Sequence, residues 1–105
     1  MAVRRDISSC VLNAHGLGET LTEAMICAEE GDAKCVTRNL HQALVYLAEF
    51  KTSCDCDVSS VWDTLKEAWD RASEGNLEGV MDMIFAADIE LHNIMRNRLG
   101  IAKEQ

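Results

Sequence analysis

The chain has 105 residues, 48% of them hydrophobic, no proline, and 10 basic against 18 acidic side chains for a formal charge of −8. That length suits a single domain, 1–105, large enough to bury a core without disulfides or metals, and the lack of proline favours helix. The acidic balance argues against nucleic-acid binding through a basic face; it suits a solvated surface, or a basic or amphipathic partner.

Met1 to Asp6 carries Arg4 and Arg5, but Ser8 and Ser9 interrupt the apolar residues that follow, so no signal peptide is expected. No apolar run approaches the roughly 20 residues that a membrane helix needs. The expectation is a cytoplasmic chain with no membrane partner. Its five cysteines, Cys10, Cys27, Cys35, Cys54 and Cys56, are expected as reduced thiols.

The spacing predicts a first helix over about 6–30. Ile7, Cys10, Ala14, Leu17, Leu21, Ala24 and Ala28 recur every three or four residues, the stripe of a helix buried on one side. Asp6 is placed to cap it. Gly16 and Gly18 invite a bend or break near Gly16 to Glu19, where Thr20 and Glu23 also spell a capping box. The unbroken phase of the stripe argues for one helix, bent if not straight. Gly31 can take the left-handed conformation that stops it, and Asp32 can cap the next.

A second helix follows over about 33–52, with Ala33, Val36, Leu40, Ala43, Leu44, Leu47 and Phe50 on its stripe and Tyr46 beside it. Thr52 to Asp57 is polar and reads as a loop. Asp57, Ser59 or Ser60 can cap a third helix over about 58–74, striped by Val58, Val61, Trp62, Leu65, Ala68, Trp69 and Ala72. Gly75 then stops and Asn76 caps a fourth helix over about 77–99. Its stripe is Leu77, Val80, Met81, Ile84, Ala87, Leu91, Ile94 and Met95. Gly100 ends it, leaving a short frayed tail from Ile101 to Gln105.

The two halves read alike. Thr20-Leu21-Thr22-Glu23-Ala24 returns as Thr64-Leu65-Lys66-Glu67-Ala68, and Glu30-Gly31-Asp32 as Glu74-Gly75-Asn76, both 44 residues on. Such self-similarity points to a repeated helical hairpin. Tight turns make neighbouring helices antiparallel, so the fold class is all-α: an antiparallel four-helix bundle built from two hairpins.

Chemistry-bearing motifs are few. Cys54-x-Cys56, flanked by Asp55 and Asp57, has soft ligands for zinc or copper(I), but a closed zinc site takes four ligands; the alternative is a capping loop with exposed thiols. Cys27 and Cys35 lie four residues either side of Gly31 and can approach across the turn, as a disulfide or as small reduced core residues. Asp88 and His92, four apart, can reach one ion from one helix face, whereas the Glu-x-x-His pairs of di-iron bundles do not occur. No serine elbow or phosphate loop is present. The expectation is a non-enzyme without a cofactor.

Ala28-Glu29-Glu30-Gly31-Asp32, then Asn39-Leu40-x-x-Ala43 and Leu47, resembles the central hairpin of FliS-type flagellin export chaperones. Val61-Trp62-x-x-Leu65, Ala72, Asn76-Leu77-Glu78-Gly79-Val80 and Ile84 follow that family's later hairpin in order, so the likeness spans about residues 17–94. The resemblance implies a cytoplasmic helical bundle that cradles an export substrate without catalysis. The leading expectation is therefore a protein-binding module. Its groove, edged by Trp62, Trp69, Met81 and Phe85, would take an amphipathic helix or an extended segment. The alternatives are a metal-binding or redox-sensing bundle using Cys54 and Cys56, and a structural homodimer.

Overall fold

The computed structural model describes residues 2–99, and side chains from Ser9 to Asn97. The expected Gly100 stop and the tail Ile101 to Gln105 lie outside the described residues, as do the side chains of Asp6 and Ile7. Four helices follow one another: α1 Ala2–Glu29, α2 Ala33–Cys54, α3 Ser59–Ser73 and α4 Val80–Leu99. Each packs on its neighbours in sequence, and α1 closes the ring against α4. The fold is the all-α four-helix bundle that the stripes imply.

Helix α1 starts earlier than its stripe suggests, so Asp6 lies inside the helix and does not cap it. It also runs straight through Gly16 and Gly18 in helical conformation. Gly16 has a packing reason: a Cβ there would meet the Tyr46 ring of α2 at 2.5 Å from Cε1 and 2.6 Å from Cζ. The glycine lets an aromatic ring lie on the α1 backbone, which accounts for a residue that weakens an isolated helix. A Cβ at Gly18 would meet nothing within 4 Å.

The two turns at Gly31 and Gly75 are built alike. Both glycines are left-handed, with φ of 77° and 82°. Gly31 N–H donates to the Ala28 carbonyl and Asp32 N–H to that of Cys27; 44 residues on, Gly75 N–H donates to Ala72 and Asn76 N–H to Arg71. This is the paired closure of a Schellman turn, which satisfies carbonyls that a helix end leaves open. The core repeats in the same register. Buried Leu17, Leu21, Ala24, Val36, Leu40, Ala43 and Leu47 have buried counterparts in Val61, Leu65, Ala68, Val80, Ile84, Ala87 and Leu91.

After the turns the halves diverge. Asp32 Oδ1 accepts the Cys35 N–H at 3.1 Å and caps α2 as expected. Asn76 instead accepts the Glu78 N–H at 3.1 Å, closing a local turn, and Gly79 is again left-handed with φ of 75°. Helix α4 therefore begins at Val80, not Leu77.

At the other end, α2 runs on to Cys54, because Thr52 and Ser53 turn their hydroxyls back onto the Ala48 and Glu49 carbonyls. Asp55, left-handed with φ of 53°, stops it, so the loop between hairpins is shorter than Thr52 to Asp57. Asp57 Oδ1 accepts both the hydroxyl and the backbone N–H of Ser59, at 2.6 and 3.0 Å. The hydroxyl bond, then the backbone bond, then the charge of Lys51 hold the exposed Asp57 carboxyl below its ordinary range.

Candidate functional site

The four residues expected to edge one groove divide between two faces. Ser60 of α3 donates to Glu90 of α4 at 3.0 Å, and Arg71 reaches the Glu78 carbonyl, so one side of α3 faces α4. Trp62 stands two residues from Ser60, about 200° around the helix. It lines a shallow pocket of about 470 Å³ against Ala48, Lys51 and Thr52 of α2. Trp69, seven residues further along the same side of α3, is half-buried against the core. Its Nε1–H is sealed from solvent without a hydrogen-bond partner, and Lys66 Nζ lies 5.4 Å from the ring centroid.

Met81 and Phe85 belong elsewhere. Steps of four, three and four place Met81, Phe85, Asp88 and His92 along one flank of α4. Asp88 and His92 line a groove of about 650 Å³ between α1 and α4. The α1 wall carries Ala14, His15, Gly18, Glu19, Thr22 and Glu23, and Leu17 and Leu91 form the floor with Met95 beside them. Toward the start of α4 the flank becomes apolar and open: Met81 is 37% exposed, Phe85 55% and Ile89 47%. Met81 was expected in the core stripe; it stands at the stripe's margin, one residue beyond the buried Val80.

The groove is acidic. Its described lining has the carboxylates Glu19, Glu23 and Asp88 and neither lysine nor arginine. Each helix adds a histidine beside its own carboxylate: His15 Nε2 lies 3.2 Å from Glu19 Oε2, and His92 Nδ1 lies 3.7 Å from Asp88 Oδ1 and 2.8 Å from the Asp88 carbonyl oxygen. His41 stands exposed on α2 and is not part of the groove's described lining. Among the described residues no three of His, Cys, Asp and Glu converge as a metal site, and Asp88 and His92 stand side by side without a third such group.

The cysteines pair, Cys27 with Cys35 across the turn as one reading of the spacing allowed, and Cys10 with Cys54 as the spacing did not reveal. Cys10 is bridged to Cys54 with Cα atoms 4.8 Å apart, and Cys27 to Cys35 at 5.7 Å. Both bridges tie α1 to α2, and for these four cysteines the expectation of reduced thiols is corrected. Cys54 is buried and spends its sulfur on Cys10, so Cys54 and the half-buried Cys56 do not present the two thiolates that a C-x-C metal site requires.

The acidic α1–α4 groove was missed in the sequence. The signal was present: Met81, Phe85, Asp88 and His92 share a helical face that is apolar at one end and charged at the other. No protein-family model, curated protein or solved structure matches the chain. Among the described residues, no helix is long and apolar enough to cross a membrane.

Proposed function

We propose that the chain is a non-catalytic binding module whose α1–α4 groove holds a cationic amphipathic helix of a partner protein. The observation that carries this is the α4 flank on which exposed Met81, Phe85 and Ile89 lead into a groove lined by Glu19, Glu23 and Asp88. An amphipathic helix recognises such a surface in two ways. Its apolar anchors, spaced three and four apart, cover the open row. Its lysines and arginines meet the carboxylates, which steers the encounter and sets which partners are accepted. The resemblance of the Gly31 and Gly75 hairpins to FliS-type export chaperones supports the same class of activity.

The cytoplasmic setting belongs to this reading and stands on that resemblance. The two bridges point instead toward an oxidising compartment, and the oxidation state of the cysteines in cells decides between the two.

The test uses synthetic helices. An amphipathic leucine–lysine peptide and its leucine–glutamate counterpart are titrated calorimetrically into the chain at low and high salt. The cationic peptide binds, more weakly as salt rises, and the acidic one does not. Phe85→Asp loses at least about tenfold in affinity, the equivalent of about 1.4 kcal/mol and ordinary for an interface anchor. Trp62→Ala, on the other face, leaves binding unchanged. Equal binding of both peptides, or sensitivity to Trp62 and not to Phe85, refutes the assignment. Mass measured across concentrations separates this reading from the homodimer, in which the same row is covered by a second copy.

A further inference from the structure

The two bridges differ in what surrounds them. Cys10 and Cys54 are both buried, and their bridge spans 44 residues of chain. Cys27 is buried, but its partner Cys35 is half-exposed in the first turn of α2, and their bridge spans only the eight residues around Gly31. One side chain attends the second bridge. Asn39 Nδ2 lies 3.6 Å from Cys35 Sγ and 3.7 Å from Cys27 Sγ while also donating to the Cys35 carbonyl at 3.0 Å.

We propose that Cys27–Cys35 is a reversible disulfide that exchanges with small thiols of the glutathione class by attack at Cys35, while Cys10–Cys54 remains closed. Three features combine to favour this. Exchange needs in-line access to a sulfur, and Cys35 alone of the four bridged cysteines is not buried. In the second displacement Cys35 is the leaving group, and the positive end of the helix dipole in the first turn of α2 favours its departure as thiolate, partly offset by the Asp32 carboxylate that holds the Cys35 N–H. An amide donor within reach of both sulfurs stabilises whichever one carries charge.

The electron balance closes with two small thiols. The first thiolate attacks Cys35 Sγ, forming a mixed disulfide, and the electron pair of the broken bond leaves on Cys27 Sγ, which takes a proton from water. The second thiolate attacks the small-molecule sulfur of the mixed disulfide, and Cys35 leaves as thiolate and takes the second proton from water. The protein gains two electrons and two protons in all, and two small thiols become one small disulfide.

The oxidised full-length chain is placed, without denaturant, in glutathione buffers of stepped reducing power. It is then quenched with a maleimide and mapped by mass spectrometry, with label at Cys56 counted separately. Cys27 and Cys35 take label together while Cys10 and Cys54 stay bridged and the helical circular dichroism is unchanged. With glutathione disulfide, Cys27→Ser carries glutathione on Cys35, whereas Cys35→Ser carries little on Cys27. Asn39→Leu slows opening severalfold at unchanged helicity. The proposal is overturned if Cys10–Cys54 opens first or at the same potential. It is equally overturned if the two serine variants are modified alike, or if Cys27–Cys35 stays closed where an unstructured peptide disulfide is fully reduced.

Discussion

Replacing Gly16 and Gly18 by alanine, one at a time, tests how α1 is seated on α2. Both lie mid-helix, where alanine is favoured over glycine by about 1 kcal/mol, so that benefit is common to both variants and cancels in the comparison. What differs is the neighbour. The new Cβ at position 18 meets nothing within 4 Å, whereas at position 16 it falls 2.5 Å from Tyr46 Cε1, 2.6 Å from Cζ and 3.1 Å from Cδ1. Carbon atoms rest about 3.5–4.0 Å apart, so the ring must move by about an ångström, or the helices must part. Swinging the ring outward relieves the contact but uncovers apolar surface that Tyr46 now packs against the core. Overpacking of this kind costs about 1–3 kcal/mol. Gly18→Ala is therefore expected to stabilise the chain by up to about 1 kcal/mol and Gly16→Ala to fall about 1–3 kcal/mol below it. For a chain of this size that separates the melting temperatures by at least about 4 °C. Thermal and urea unfolding of both variants measures the gap, and repeating them in a Tyr46→Ala background closes it, since the clashing partner is gone. Equal stabilisation by the two alanines in the presence of Tyr46 would show that the ring does not rest on Gly16.

Removing the two bridges should have unequal effects on urea unfolding of the oxidised chain. Cys10→Ser with Cys54→Ser is expected to cost about 4 kcal/mol and Cys27→Ser with Cys35→Ser about 2.5 kcal/mol, because loop-closure entropy grows with the chain enclosed. Gly31→Ala and Gly75→Ala should each cost about 1–2 kcal/mol, the penalty of a left-handed non-glycine residue, and should match each other because the turns share their hydrogen bonds. Asp57→Asn should narrow the acid limb of the stability profile. The folded carboxyl is held low, so its contribution is present above the ordinary carboxylate range and fades as pH falls through the folded value; the gap between the parent chain and the variant should therefore shrink below about pH 4.

The helices were legible because burial on one side imposes a period, and that period survives even across Gly16 and Gly18. The turns were legible because glycine followed by Asp or Asn has few other uses. Helix limits were less so. Thr52 and Ser53 look like loop residues, yet they bond back to the preceding turn and stay helical. Leu77 continues the α4 stripe but stands before a left-handed Gly79. The groove was hidden for a related reason. A stripe shows which side of a helix is apolar, but not which flank meets which neighbour, so Trp62 and Phe85 looked like companions. The pairing of Cys10 with Cys54 depends on where the end of α2 passes α1, which no local spacing encodes.

Both covalent links lie inside the first hairpin, and none crosses to α3 or α4 among the described residues. Stiffness is thus shared unevenly. The Ala14 to Glu23 wall of the groove sits between two anchor points on one rod, whereas the opposite wall is held by packing and by hydrogen bonds such as that of Ser60 to Glu90. A guest too bulky for the resting cleft would displace α4 and leave α1 where it stands. Amide exchange in the oxidised chain should accordingly be faster in the second hairpin than in the first.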